Sequence, residues 1–83
     1  MITLTLYSRR DCCLCEEMKA VLAQVRQGIP FDLEEIDIST DPELEIRFGQ
    51  EIPVLFVNGR KAFKYRLTVS ELHRKLARES PTP

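Results

Sequence analysis

The hydrophobic pattern changes period once near the start of the chain, and that change restricts what the chain can fold into. Ile2, Leu4 and Leu6 alternate with Thr3, Thr5 and Tyr7, the period-2 pattern of a strand with one face turned to a core. After a polar break at Ser8-Arg9-Arg10-Asp11, the residues Leu14, Met18, Val21, Leu22 and Val25 recur at helical spacing. They predict a helix from Cys13 to Gln27 with a single apolar stripe. Gly28 stops that helix and Pro30 prevents its continuation. Phe31 to Ile38 returns to strand composition, with a slip in alternation at Glu34-Glu35 that predicts a bulge or an early end. A strand, a helix and a second strand of one sheet connect by a right-handed crossover. The two strands then run parallel, with the helix on one face.

The remaining elements follow from local signals. Thr40-Asp41-Pro42-Glu43 has capping-box spacing with proline near the first turn, and predicts a short helix carrying Leu44, Ile46 and Phe48 that ends at Gly49. Val54-Leu55-Phe56-Val57 is an unbroken apolar run, as expected of a strand covered on both faces. Asn58-Gly59 predicts a tight hairpin, with Arg60 to Lys64 returning as an antiparallel edge strand. Thr68 to Glu71 is a second capping box, flanked by Leu67 and Leu72 at the spacing of a hydrophobic staple. Val69, Leu72 and Leu76 then face the core from the last helix. The order is β-α-β-α-β-β-α, an α/β class with a four-stranded mixed sheet and three helices. Residues 1–78 form a single domain, and residues 79–83 form a flexible C-terminal tail.

Charge bears on the partners. A formal net charge of −1 lacks the basic excess of a general nucleic-acid binder. Acidic residues crowd the stretch from Asp32 to Glu51, and basic ones the stretch from Arg60 to Arg78. This segregation describes either two solvated faces or a basic patch for an acidic partner protein. No run approaches the roughly 20 apolar residues of a membrane span, and no leader pattern precedes Ile2, so a cytoplasmic location is expected.

All three cysteines fall in Cys12-Cys13-Leu14-Cys15, between the first strand and the first helix. Residues three apart on a helical turn are neighbours at roughly 5–6 Å, so Cys12 and Cys15 are the pair suited to a disulfide. Cys13 and Cys15 point to different sides, and adjacent Cys12 and Cys13 bond only with a strained backbone. As a structural staple, a four-residue loop stabilises by only about 2 kcal/mol, and no other cysteine exists to join distant segments. Reactivity is the better expectation. Cys12 at a helix N-terminus meets unpaired N–H groups and the positive end of the macrodipole, with Arg9 and Arg10 adding charge and Asp11 and Glu16 opposing it. Cys15, one turn inside the helix, then resolves a mixed disulfide.

The segment LYSRRDCCLCEEMKAVL, followed later by EIPVLFVNGR, resembles the glutaredoxin and thioredoxin superfamily, most closely the bacterial glutaredoxin-like proteins, over residues 2–77. The resemblance implies a thioredoxin-like fold and thiol-disulfide oxidoreductase activity, with Cys12 as the attacking cysteine and Cys15 as the resolving one. It also implies a cis bond at Ile52-Pro53 packed beside the cysteines, with the backbone of Ile52 pairing with substrate. Arg9, three residues before Cys12, stands where glutaredoxins often carry a cation for a glutathione carboxylate. The chain departs from the family at Cys13-Leu14, which replaces the usual Pro-Tyr or Gly-Pro between the cysteines. It departs again at Lys64-Tyr65-Arg66-Leu67-Thr68, which replaces a Gly-Gly turn and a following aspartate.

The expected activity is reduction of protein or small-molecule disulfides by a monomer without cofactor or metal. It would be recharged by a thioredoxin-reductase-like enzyme or by glutathione, with no nucleic-acid or membrane partner. Two other classes stay open: a metal or iron–sulfur module using the clustered cysteines, and a non-catalytic thioredoxin-fold adaptor. A closed zinc site needs four protein ligands, and His73 is the one histidine that can join three cysteines. Helical spacing instead makes His73 a residue of the core boundary. Cys13 is an incidental exposed residue, an alternative resolving thiol or a metal ligand. Tyr7 and Tyr65 read as packing residues, with Tyr65 able to line the cleft.

Overall fold

In a computed structural model, which describes residues 2–79, β1 (Thr3–Ser8) lies inside a four-stranded sheet of order β2-β1-β3-β4. β2 (Asp32–Asp37) runs parallel to it, with Thr3 opposite Asp32 and Ser8 opposite Asp37. β3 (Val54–Val57) runs antiparallel on its other side, with Leu4 opposite Val57 and Tyr7 opposite Val54. β4 (Arg60–Lys64) closes the sheet antiparallel to β3. The helices are α1 (Cys13–Arg26), α2 (Pro42–Phe48), preceded by a 3-10 turn at Ile38–Thr40, and α3 (Val69–Glu79). This is the mixed sheet with three helices that the hydrophobic periods predict.

Strand alternation divides the apolar side chains into two cores. Leu4, Leu6, Leu55 and Val57 meet Met18, Leu22 and Val25 of α1 and Leu72 and Leu76 of α3 on one face. Val54, with Tyr7 and Phe56, meets Phe48 of α2 and Ile38 on the other. The Tyr7 ring stacks on Phe48 at 4.6 Å and meets Phe56 edge-on at 5.4 Å, both favoured aromatic geometries. Each residue of β3 therefore faces apolar neighbours on one side or the other, which accounts for its unbroken apolar run.

The β3–β4 turn has Asn58 at φ 50° and Gly59 at φ 84°, positive values at both central residues that suit the twist of the flanking strands. Asn58 also joins β1: its N–H donates to the Thr3 carbonyl at 2.8 Å, and its Oδ1 accepts from the Thr3 N–H at 2.9 Å. At the start of α3 the Glu71 N–H donates to Thr68 Oγ1, and Glu71 Oε1 accepts from the Thr68 N–H, both at 3.1 Å. This is the reciprocal capping box, with Leu67 and Leu72 buried beside it. α2 stops at Gly49, where an added Cβ would collide with the Glu45 carbonyl oxygen.

Several expectations need correction. β2 carries no bulge at Glu34-Glu35, because its pairing with β1 is continuous; the register shift lies between Leu55 and Phe56. An edge strand tolerates two exposed acids in succession, and Glu35 reaches Lys19 of α1 at 3.0 Å. The cap of α2 is Asp41, whose carboxylate accepts from the Glu43 N–H at 2.9 Å, while Thr40 donates to the Asp37 carbonyl. The helix carries Leu44, Ile46 and Phe48 and ends at Gly49 as expected, with Phe48 buried and Ile46, on another helical face, 85% exposed. His73 is exposed, because the Leu72 and Leu76 stripe of α3 is narrower than the spacing suggests. Glu79 is helical and accepts from Asn58 Nδ2 at 3.1 Å, so the helix extends one residue into the expected tail. Ser80 to Pro83 lie outside the described residues. Among the described residues, no helix is long and apolar enough to cross a membrane.

The charge segregation is partly resolved by pairing across the fold. Glu51 meets Lys61 and Lys64 of β4, and its carboxyl is held below the usual range chiefly by the hydrogen bond from Lys61.

Candidate active site

β1 delivers the chain to the cysteines through a sharp reversal. Asp11 takes the left-handed region at φ 58°, which aspartate tolerates better than most residues, and Cys12 follows in extended conformation as the N-cap of α1. The Cys12 sulfur accepts the backbone N–H of Cys15 at 3.2 Å, and the Cys12 carbonyl accepts the N–H of Glu16 at 3.1 Å. A sulfur in this position occupies the place that an N-cap oxygen takes in other helices. It satisfies one orphan donor and lies at the positive end of a 14-residue helix.

Cys12 and Cys15 stand with their Cα atoms 5.1 Å apart and their sulfurs at disulfide distance. Their surroundings differ. Cys15 is fully buried, on the helix face that also carries Met18 and Leu22, and Cys12 is half-buried at the mouth of the turn. Cys13 is exposed and takes no part in the pair. Among the described residues, no group of three or more histidine, cysteine or acidic side chains is gathered in a way that could hold a metal ion.

Arg9 does not project freely beside Cys12. Its Nε donates to Glu45 Oε1 of α2 at 3.1 Å, and Nη2 shares the same oxygen. Asp37, at the end of β2, is held below the usual carboxyl range. The hydroxyl and N–H of Ser39 are the main cause, and Arg10 and Arg9 contribute a smaller attraction. The two arginines thus direct part of their field toward acids of the scaffold. Sequence patterns did not single out Glu45, and its position on α2 carries no local sign of a partner in the β1–α1 turn.

The Ile52-Pro53 bond is cis, as the family resemblance implied. Pro53 is buried and immediately precedes Val54, which pairs with Tyr7. Pro53 therefore lies at the end of the sheet where β1 passes toward Cys12. Ile52 is half-buried, and its backbone makes no backbone hydrogen bond among the described residues, which leaves donor and acceptor available for another chain.

Beyond β4 the chain turns through Tyr65 at φ 68°. The Arg66 N–H donates to the Lys64 carbonyl at 2.8 Å, closing a three-residue γ-turn, and the Tyr65 N–H donates to the Pro53 carbonyl at 2.9 Å. A turn of this kind, with positive φ at its centre, is rare and strained for a residue that carries a side chain and open to glycine. Here a tyrosine takes it while remaining 43% exposed. The sequence signal for this feature was the substitution of Lys64-Tyr65 for glycines. Its backbone geometry was not legible.

A family model described as "Glutaredoxin-like domain (DUF836)" matches residues 3–77. The X-ray structure of protein XcR50 from X. campestris is similar to this chain, at 34% identity and TM-score 0.78, covering 94% of this chain and 99% of that one. The curated relative Rv0508 of Mycobacterium tuberculosis, an uncharacterized protein, is 26% identical over 80 residues, 90% of this chain and 82% of its own. Reduced desulfothioredoxin from Desulfovibrio vulgaris Hildenborough superposes with a TM-score of 0.71 at 24% identity, covering 93% of this chain and 80% of that one. At that identity the likeness speaks for the fold alone, and the fold is thioredoxin-like.

Proposed function

Because the chain belongs to the glutaredoxin-like (DUF836) family, we propose that it is a thiol-disulfide oxidoreductase in which Cys12 attacks and Cys15 resolves. The observation that carries this reading is the difference between the two sulfurs: one caps a helix N-terminus at the surface, and the other is buried one turn behind it. Thiolate is the nucleophile in disulfide exchange, and the N-terminal dipole and N–H groups favour an anionic sulfur at Cys12. The Cys12 thiolate attacks a substrate disulfide, forming a mixed disulfide and expelling one substrate thiolate, which takes up a proton. Cys15 gives up its proton and attacks the Cys12 sulfur, releasing the second substrate thiol. Two electrons pass to the substrate, and the protein is left with a Cys12–Cys15 disulfide. The substrate backbone pairs with the unpartnered groups of Ile52 beside Pro53. An external reductant, a thioredoxin-reductase-like enzyme or a low-molecular-weight thiol, restores the dithiol. This cycle suits a reducing compartment such as the cytoplasm.

The test is reduction of a generic protein disulfide with each donor, together with peptide mapping after mild oxidation. Turnover with at least one donor, and a dominant Cys12–Cys15 bridge that leaves Cys13 free, is the expected result. No turnover with either donor, or Cys13 in the dominant bridge, would overturn it.

Glutathione is expected to be the poorer donor. Its carboxylate must compete with Glu45 for Arg9, and the Lys64-Tyr65 turn occupies the place where glycines would admit close backbone approach. Both partners of the Arg9–Glu45 pair are more than a third exposed, so the competition is modest, on the order of 0.2–1 kcal/mol. Glu45→Gln should therefore tighten glutathione binding by up to about fivefold at low salt. The gain should shrink at physiological ionic strength, where the Debye length is about 8 Å. Titrating glutathione into both proteins at two salt concentrations measures it, and an unchanged affinity would show that Arg9 has no part in binding.

A further inference from the structure

We propose that the β4 edge of the sheet, with the groove between β4 and α3, docks an extended acidic segment of a partner protein, which adds to β4 as a further strand. This surface is separate from the cysteine pair, and its role does not depend on the oxidoreductase reading. β2 and β4 are the two outer strands of the sheet, so each offers a row of backbone N–H and C=O groups to a new strand. Their charges are opposite: β2 exposes Asp32, Glu34 and Glu35, whereas β4 exposes Arg60 and Lys61. An acidic strand is therefore repelled from one edge and admitted at the other. A charged edge by itself only guards against indiscriminate pairing. What distinguishes β4 is the groove beside it.

Phe63, Glu71, Arg74, Lys75 and Arg78 line that groove, whose volume is about 220 Å³. Phe63 is half-buried against the core shared by α1 and α3. The acid of the lining, Glu71, is engaged in the capping box with Thr68, and Lys75 pairs with Glu79 at 3.4 Å. Arg74 and Arg78 are exposed and enter no ion pair among the described residues. They stand four residues apart on α3, where like charges are neighbours and repel. The carboxyl of Glu79 is held below its usual range chiefly by the hydrogen bond from Asn58, with smaller attractions from Lys75 and Arg60, which places Arg60 near the end of α3. Cations gathered in this way gain most from carboxylates brought by another molecule. Nucleic acid fits less well: the chain carries a net charge of −1, and the free groups of a strand edge match a peptide backbone.

The probe is a peptide of alternating glutamate and valine, titrated into the full-length protein with amide NMR shifts as the readout. Shifts should run along β4 and α3 and spare β2, and binding should weaken as salt is raised. Arg74→Gln and Arg78→Gln together should weaken binding about fivefold. The same double variant should melt no lower than the parent, because a repulsion is relieved and glutamine suits a helix. The peptide N-methylated along its length keeps its charge but loses its backbone donors, and should bind about tenfold more weakly. Equal binding by the N-methylated peptide, or an unchanged affinity in the double variant, would overturn the proposal. So would shifts centred on β2, or equally tight binding of a single-stranded RNA of the same charge. Salt-sensitive self-association, with β2 of one copy seated on β4 of the next, would make a second copy the occupant and overturn it equally.

Discussion

Cys12→Ser should reduce disulfide turnover to background, whereas Cys15→Ser should retain the first exchange and accumulate a mixed disulfide through Cys12. Serine keeps the size and position of the N-cap side chain but not a nucleophile that ionises near neutral pH, so the loss is chemical rather than structural. The burial of Cys15 is the reason for expecting this asymmetry: its side chain is fully buried, whereas Cys12 is half-buried at the helix N-terminus. Once Cys12 carries the substrate, only a thiol at the spacing of Cys15 reaches it, so removing Cys15 halts the cycle halfway. Non-reducing electrophoresis and intact mass measure the trapped species. Equal trapping by Cys12→Ser would reassign the nucleophile, with exposed Cys13 the first candidate.

The largest stability effect is expected at Leu6. It is fully buried in β1, between β2 and β3 in the sheet, with its side chain in the core shared by α1 and α3. Leu6→Ala removes three carbons from a site hemmed in by sheet backbone, which relaxes poorly. The expected cost is roughly 2.7–5 kcal/mol. For 83 residues a typical total stability is about 4–12 kcal/mol, so this one change should remove a large share of it. In urea the midpoint should fall steeply with little change in slope. Ile46→Ala, on the exposed side of α2, should shift stability by no more than about 0.5 kcal/mol. Similar losses at the two positions would contradict the division between core and surface described above.

What the sequence determined by itself was whatever depends on neighbours within one turn or one hairpin. The period change after Tyr7, the Asn58-Gly59 turn and the Thr68–Glu71 box are each specified by residues at most a few positions apart. Their physics is the same in a peptide as in a protein. The spacing of Cys12 and Cys15 belongs with them, since a helical turn alone sets it. The second capping site shows the limit of such signals: Thr40 and Asp41 both offered an oxygen, and the 3-10 turn at Ile38–Thr40 decided for Asp41. Only the tertiary structure decided what each exposed group meets. Arg9 and Glu45 are 36 residues apart in sequence, and nothing local to either announces the other. Glu45, Arg47 and Gln50 come to line one largely polar recess with Lys64 and Tyr65, although the two segments are distant in sequence. Tyr65 is held in its left-handed turn with the help of a bond to Pro53, twelve residues earlier in the chain. Contacts of this kind arise from the meeting of distant segments, and their energies depend on burial and geometry that no local pattern of residue types encodes.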